Sequence, residues 1–109
     1  MRIPKKDLEK MEKYKDEPLN GFDFEMLFGL AIGARALRAR SHPYLDTGWT
    51  ISSYSIWKLE GRGWLKRKAV KYTDGARGTE WLLTDAGQAA IQEMNIHGFN
   101  FNDPWTVTA

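Results

Sequence analysis

The spacing of hydrophobic residues predicts a short amphipathic helix near the start of the chain. Leu8, Met11 and Tyr14 recur at three-residue intervals among lysines and glutamates. This pattern predicts a helix from Ile3 to Tyr14, and Pro18 must end it because proline cannot continue a helix. The apolar stripe is narrow, so we expect this helix to be stable only when it packs against another part of the molecule.

A second, longer helix is predicted from Phe24 to Ala39, with Asp23 as its N-cap. Its first half carries apolar residues at helical intervals, and basic residues follow near its end. Positive charge at that end interacts favourably with the helix dipole. The segment from Ser41 to Gly48 contains Pro43 and is predicted to form a loop.

A third helix is predicted to begin near Thr50 and to stop at Gly61. Its apolar positions include Ile51, Ile56 and Leu59. The candidates for its N-cap are Thr50, Ser52 and Ser53.

After the third helix the pattern changes to one typical of a β-hairpin. Trp64 to Tyr72 combines strand-forming residues with long charged side chains, and Thr79 to Leu83 supplies a returning strand. The turn between them, Thr73 to Gly78, contains two glycines and Arg77. We therefore predict a hairpin with a basic, glycine-rich tip.

A last helix is predicted after Thr84 or Asp85, one of which caps it, and it runs through Met94 and ends before Gly98. The remaining residues, Phe99 to Ala109, are predicted to be irregular. They are rich in aromatic side chains, so we expect this tail to pack on the domain's own apolar face, on a second subunit or on another protein.

The length of 109 residues suits a single domain with one modest core. We divide it into an N-terminal helical arm (1–20), a folded domain (21–97) and the aromatic tail (98–109). Five tryptophans are many for this length. We expect Trp49, Trp64 and Trp81 to lie in the core, and Trp105 to lie in the tail.

Composition excludes several classes of protein. The chain is 42% hydrophobic and 28% charged, without a long apolar run, which is typical of a globular protein and not of a membrane protein. The first fifteen residues are too charged for a secretory signal, so we expect a cytoplasmic protein. The absence of cysteine excludes disulfides, zinc fingers and thiol nucleophiles.

The net charge of +2 conceals a strongly basic middle segment. Residues 35–78 contain ten basic and three acidic residues, whereas the flanking segments are slightly acidic. A local excess of this size is what a phosphate-binding surface needs, because contacts with phosphates release condensed counterions. A merely solvated basic face is the alternative. The ten basic residues are Arg35, Arg38, Arg40, Lys58, Arg62, Lys66, Arg67, Lys68, Lys71 and Arg77.

No catalytic or metal-binding pattern is present in the sequence. His42 and His97 lie far apart, and neither has a second histidine or a carboxylate at ligand spacing. The glycines fall after a helix or inside a hairpin, where a nucleotide-binding loop would not be. We therefore expect no metal, no cofactor and no enzymatic activity.

A local sequence pattern resembles the PadR-like and MarR-like transcriptional regulators. It comprises a leucine–glutamate pair followed by glycine at Leu59 to Gly61, a basic wing, and the closing run from Leu82 to Gly87. The resemblance covers roughly Thr50 to Ile91 and implies an α+β winged helix-turn-helix fold, with three or four helices and a two-stranded β-hairpin wing. It also implies a double-stranded DNA partner and a possible homodimer.

By this resemblance, the helix over 50–60 would read the major groove and the wing over 64–83 would contact the phosphate backbone. Ser53, Tyr54, Trp57 and Lys58 should face outward if Ile56 and Leu59 face the core. The predicted DNA-binding residues are Ser53, Tyr54, Trp57, Lys58, Arg62, Lys66, Arg67, Lys68, Lys71, Arg77, Arg38 and Arg40.

A protein-interaction module of the same fold is the alternative hypothesis. Tyr54 and Trp57 suit a protein surface as well as bases, and the aromatic tail could add to such a contact. An inhibitor or adaptor of phage or mobile-element origin would fit this description.

Overall fold

The computed structural model describes residues 2–39, 42–48 and 50–96. Within them the chain is an α+β fold of four helices and one four-stranded antiparallel sheet. The elements in chain order are α1 (Lys5–Tyr14), α2 (Gly21–Ala31), β1 (Ala36–Arg38), β2 (Tyr44–Leu45), α3 (Ser53–Gly61), β3 (Leu65–Lys71), β4 (Arg77–Leu83) and α4 (Asp85–Ile96).

The start of α2 differs from the prediction by a few residues. Asn20 is its N-cap, and Asp23 lies at the third helical position. The Asn20 side chain accepts a hydrogen bond from the Asp23 amide at 3.1 Å, and the Asp23 carboxylate accepts one from the Asn20 amide at 2.8 Å. This reciprocal capping box satisfies two amides that the helix itself leaves unpaired, so the prediction of Asp23 as N-cap was wrong.

The predicted continuation of α2 to Ala39 was also wrong. The helix ends at Ala31, Gly33 adopts a left-handed conformation with φ of +102°, and the amide of Ala34 donates to the carbonyl of Gly29. The chain then reverses, and Ala36 and Leu37 are buried in β1. Sheet pairing thus overrides the helix propensity of the Ala–Leu–Arg run.

The sheet has the strand order β2-β1-β4-β3. The β3–β4 hairpin was predicted and is confirmed, with seven residue pairs from Leu65 opposite Leu83 to Lys71 opposite Arg77. Its turn uses Gly75 at a φ of +86°. The short strands β1 and β2 were not predicted. Tyr44 and Leu45 form β2 inside the segment that was predicted to be a loop.

Side chains alternate between the two faces of this sheet. The inner face carries Leu65, Trp81 and Leu83, which pack with the helices in the core. The prediction that Trp81 lies in the core is confirmed, since it is 1% exposed, and Trp64 packs against the same cluster. Trp49 and Trp105 lie outside the described residues.

The remaining helices follow the predicted pattern closely. Ser52 caps α3 through its hydroxyl, which accepts from the amide of Tyr54, and Gly61 is the last residue of the helix. The Thr84 hydroxyl accepts from the amide of Gly87 and caps α4. No helix among the described residues has the length and apolar character needed to cross a bilayer. The aromatic tail lies outside the described residues.

Candidate nucleic-acid-binding surface

Four cations of the basic segment are exposed on the β3–β4 hairpin. They are Lys66, Lys68, Lys71 and Arg77. None of them forms an ion pair with another described residue. Lys71 lies directly opposite Arg77 next to the turn, and Lys66 and Lys68 lie further along the same strand. At about 3.3 Å per residue, the cations extend over roughly 17 Å of strand.

Lys58 is not a surface residue, which corrects one of the predicted DNA contacts. Its side chain is 1% exposed. The ammonium donates to Asp23 at 2.7 Å and to the carbonyl of Pro18 at 3.0 Å, and it lies 4.7 Å from the ring centre of Tyr54. Asp23 is itself fully buried. Lys58 therefore holds the start of α2 against α3 and is not available to bases or phosphates.

Arg67 is a second buried cation, and its predicted phosphate contact was wrong for the same reason. Its Nε and Nη2 atoms donate to Glu60, each at 2.8 Å, and its Nη1 atom donates to Asp7 at 3.0 Å. The guanidinium lies 5.6 Å from the ring centre of Trp81. Because β3 alternates, Arg67 points inward while Lys66 and Lys68 point outward.

Two other arginines of the predicted site are half-buried against tryptophan rings. Arg62 lies 5.2 Å from the ring of Trp64 and donates to the carbonyl of Glu17 at 2.5 Å. Arg38 lies 5.4 Å from the ring of Trp81. Their guanidinium groups thus have partners inside the domain. Arg40 lies outside the described residues.

Helix α3 has no exposed residue, because α1 covers the side that was predicted to face outward. Every position from Ser53 to Gly61 is buried or half-buried. The ring of Tyr14 lies 4.7 Å from that of Tyr54 and 6.2 Å from that of Trp57. Gly61 allows α1 to pack closely against α3, since a Cβ at this position would lie 2.5 Å from the carbonyl oxygen of Met11.

Prediction from sequence missed a cluster on the outer face of the sheet. Arg35 donates two hydrogen bonds to Glu80, both at 2.9 Å. These bonds lower the pKa of Glu80 although burial opposes the shift. Tyr72 lies close to Tyr44 on the same face, and burial raises the pKa of its hydroxyl. Strand alternation over 66–72 was the only sequence signal that could have placed Tyr72 beside Lys66 and Lys68.

Four buried or half-buried carboxylates are neutralised by cations of the domain itself. Asp7, Asp23, Glu60 and Glu80 each pair with a lysine or arginine. Asp74 lies in the hairpin turn between Lys71 and Arg77, where its carboxylate accepts a hydrogen bond from the amide of Ala76. The four exposed cations of the hairpin thus outnumber its one exposed carboxylate. Within the described residues there is no group of histidine and carboxylate side chains that could hold a metal ion.

Neither a family model, nor a curated protein, nor a solved structure matches this chain. The resemblance to PadR-like and MarR-like regulators therefore stays a prediction from the motif.

Proposed function

We propose that this protein binds double-stranded DNA through phosphate contacts made by the β3–β4 hairpin, as a small winged-helix protein of the kind found among transcriptional regulators. The observation that carries this proposal is the set of four exposed hairpin cations without acidic partners. Such contacts position a protein on DNA and supply most of its non-specific affinity.

The order of the elements supports a winged-helix type of fold. Strand β1 pairs with β4, β4 pairs with β3, and the hairpin follows α3 directly and precedes α4. Residues 32–52 separate α2 from α3. A helix-turn-helix joins its two helices by a turn of about three or four residues. The proposal therefore uses the wing of this fold and not a helix-turn-helix.

Reading of bases in the major groove by α3 is not part of the proposal. A recognition helix must present an exposed row of side chains to base edges. In α3, Lys58 is paired with Asp23, and Tyr54 and Trp57 lie against Tyr14. We accordingly expect binding that depends strongly on salt and weakly on base sequence.

The test is a fluorescence-anisotropy titration of random-sequence duplex DNA at several salt concentrations. The variant Lys66→Ala/Lys68→Ala/Lys71→Ala is compared with Arg2→Ala/Lys5→Ala/Lys6→Ala. The second variant removes the same charge from three exposed positions, one before α1 and two in its first turn. Four phosphate contacts correspond to a slope of log K against log salt of about −3.6. We expect the hairpin variant to reduce that slope by about 2.7 and the control variant to leave it nearly unchanged.

Equal loss of affinity in both variants would show that binding follows net charge and not the hairpin, and would contradict the proposal. Absence of binding by the wild-type protein at low salt would contradict it as well. That second result would favour the alternative of a protein partner, for which a complex that survives high salt is the expected sign.

A further inference from the structure

The outer face of the sheet is the face opposite to the hydrophobic core, and its residues do not belong to the core cluster that the described helices form with the inner face. One row crosses all four strands on this face: Tyr44, Leu37, Glu80 and Lys68 are successive cross-strand neighbours. Neighbouring strands are about 4.8 Å apart, so the row extends over roughly 14 Å. Lys66 lies two residues from Lys68 on the same strand and therefore on the same face.

Leu37 and Glu80 are nearly inaccessible although they belong to this outer row. Leu37 is 5% exposed and Glu80 is 4% exposed. Tyr44 lies beside Leu37, and Arg35 lies over Glu80 through its two hydrogen bonds. Tyr72 lies across Gly78, where an added Cβ would be 2.6 Å from its ring. The outer layer thus consists of two tyrosine rings and one planar guanidinium group, which cover the buried side chains of Leu37 and Glu80.

The charge of this layer is positive. Glu80 is paired with Arg35, and the carboxylate of Asp46 accepts a hydrogen bond from the Arg35 amide at the edge of the layer. Lys66 and Lys68 are exposed and have no ion-pair partner among the described residues, so these five residues carry a net charge of +1. Tyr44 presents 36% of its surface to solvent. An exposed aromatic ring on the same sheet face as exposed cations is a combination that suits single-stranded nucleic acid, because unpaired bases stack on the ring and the cations contact phosphates along the strand. Duplex DNA has no unpaired base for this ring to stack on.

We propose that the outer face of the sheet binds single-stranded nucleic acid, with an unpaired base stacked on Tyr44 and phosphates of nucleotides further along the strand contacted by Lys66 and Lys68. This inference deepens the proposed function and shares these two lysines with it. It adds a class of ligand, an unpaired segment, that the hairpin cations by themselves do not select.

The experiment measures binding of a fluorescent oligo-dT of about 12 nucleotides, a length within the range that one single-strand binding fold covers. The same duplex DNA as above is titrated in parallel. The proteins compared are wild type, Tyr44→Ala, Tyr44→Phe and Phe22→Ala. Phe22→Ala is the matched control because Phe22 is an exposed aromatic residue on α2, where it neighbours Leu45 of the inner sheet face and not the outer face.

We expect Tyr44→Ala to weaken oligo-dT binding about fivefold or more, since loss of one stacked aromatic ring has an effect of that size. Tyr44→Phe and Phe22→Ala should bind oligo-dT like wild type, and Tyr44→Ala should keep its affinity for the duplex. Wild-type affinity of Tyr44→Ala for oligo-dT would overturn this inference and leave the proposed function intact. Absence of wild-type binding to both ligands would overturn the two together.

A second measurement does not depend on any variant being folded. Backbone amide resonances of the wild-type protein are followed by NMR during titration with oligo-dT. Shifts centred on Leu37, Tyr44 and Lys68 are expected. Shifts confined to α1 and to the hairpin turn, with none on β1 and β2, would overturn the proposed stacking site.

Discussion

Lys66, Arg67 and Lys68 are consecutive residues of one strand, yet they belong to two different regions of the molecule. Arg67 is almost completely buried and is held by Glu60 and Asp7, whereas its two neighbours are exposed and unpaired among the described residues. Lys58 belongs with Arg67, because it is paired with Asp23 inside the domain. The inner cations therefore hold helices together, and the outer cations remain available for a ligand.

This contrast shows that the charge of a segment is not the charge of a surface. Residues 35–78 carry a large excess of positive charge in the sequence. The fold places part of that charge in buried ion pairs with carboxylates from α1 and α2. The cations left for a phosphate-binding surface are Lys66 and Lys68, which lie on either side of the buried Arg67, and Lys71 and Arg77 next to the hairpin turn.

Among the changes considered for the inner region, removal of Lys58 should lower the free energy of unfolding most. The variant Lys58→Met leaves the carboxylate of Asp23 buried without a cation, so we expect a loss of about 3–5 kcal/mol in the free energy of unfolding. Urea denaturation measures it. The double variant Lys58→Met/Asp23→Asn should recover much of the loss because no lone charge remains. A loss below about 1 kcal/mol in the single variant would show that Lys58 is not paired as described.

Arg67 and its neighbour Lys66 give the most direct comparison of the two regions. We expect Arg67→Met to reduce the free energy of unfolding by about 3 kcal/mol, because it removes the only cation that contacts Glu60 and Asp7 among the described residues. Lys66→Met should change it by less than about 0.5 kcal/mol, as is usual for an exposed side chain. Similar effects of the two substitutions in urea denaturation would contradict the alternation of buried and exposed cations on β3.

The contact between α1 and α3 can be tested at Gly61. Replacement of glycine by alanine normally stabilises a helix, but at position 61 the added Cβ would meet the backbone of Met11 and the Cβ of Lys15. We expect Gly61→Ala to lose about 1–3 kcal/mol in thermal or urea denaturation. Gly29→Ala is the control, since its Cβ would meet only the end of the flexible Leu45 side chain. Stabilisation by Gly61→Ala would mean that α1 does not lie close to α3.

The smallest expected effect is the pH dependence that arises from Glu80. Hydrogen bonds from Arg35 lower the pKa of Glu80 below its ordinary value of 4.5 in the folded protein. The stabilisation is therefore complete above pH 4.5 and is lost as the pH falls through the lower folded pKa. Because Arg35 is half-exposed, we expect only a modest effect. The melting temperature of Glu80→Gln should fall less steeply below pH 4.5 than that of wild type, and parallel curves would contradict this pair.

Local patterns in the sequence predicted α1, α3, the hairpin and α4 with nearly the observed bounds. These patterns, such as the spacing of Leu8, Met11 and Tyr14 or the glycine in the hairpin turn, involve only residues close in the chain. The elements that they indicate can therefore be predicted without knowledge of tertiary contacts. The same reading failed for Ala36–Arg38, because the residues of that run favour a helix and become a strand only by pairing with β4.

The candidate site was predicted only in part. Lys66, Lys68, Lys71 and Arg77 are exposed as a wing requires, whereas Lys58 and Arg67 are buried and α3 is covered by α1. Tyr44 lies in β2, Glu80 lies in β4 and Arg35 directly precedes β1, and no short-range pattern indicates that they lie side by side. Their grouping follows from strand order.

The sequence by itself determined the helical and strand periodicities, the hairpin turn and the concentration of basic residues in the middle of the chain. Tertiary structure decided which of those basic residues meet solvent. Lys58 pairs with Asp23, which is 35 residues away in the chain. Arg67 pairs with Asp7, which is 60 residues away, and with Glu60 on α3, which is seven residues away. A buried charge is tolerated only when an opposite charge reaches it, and that depends on how α1 and α2 dock against α3 and β3, not on neighbouring residues.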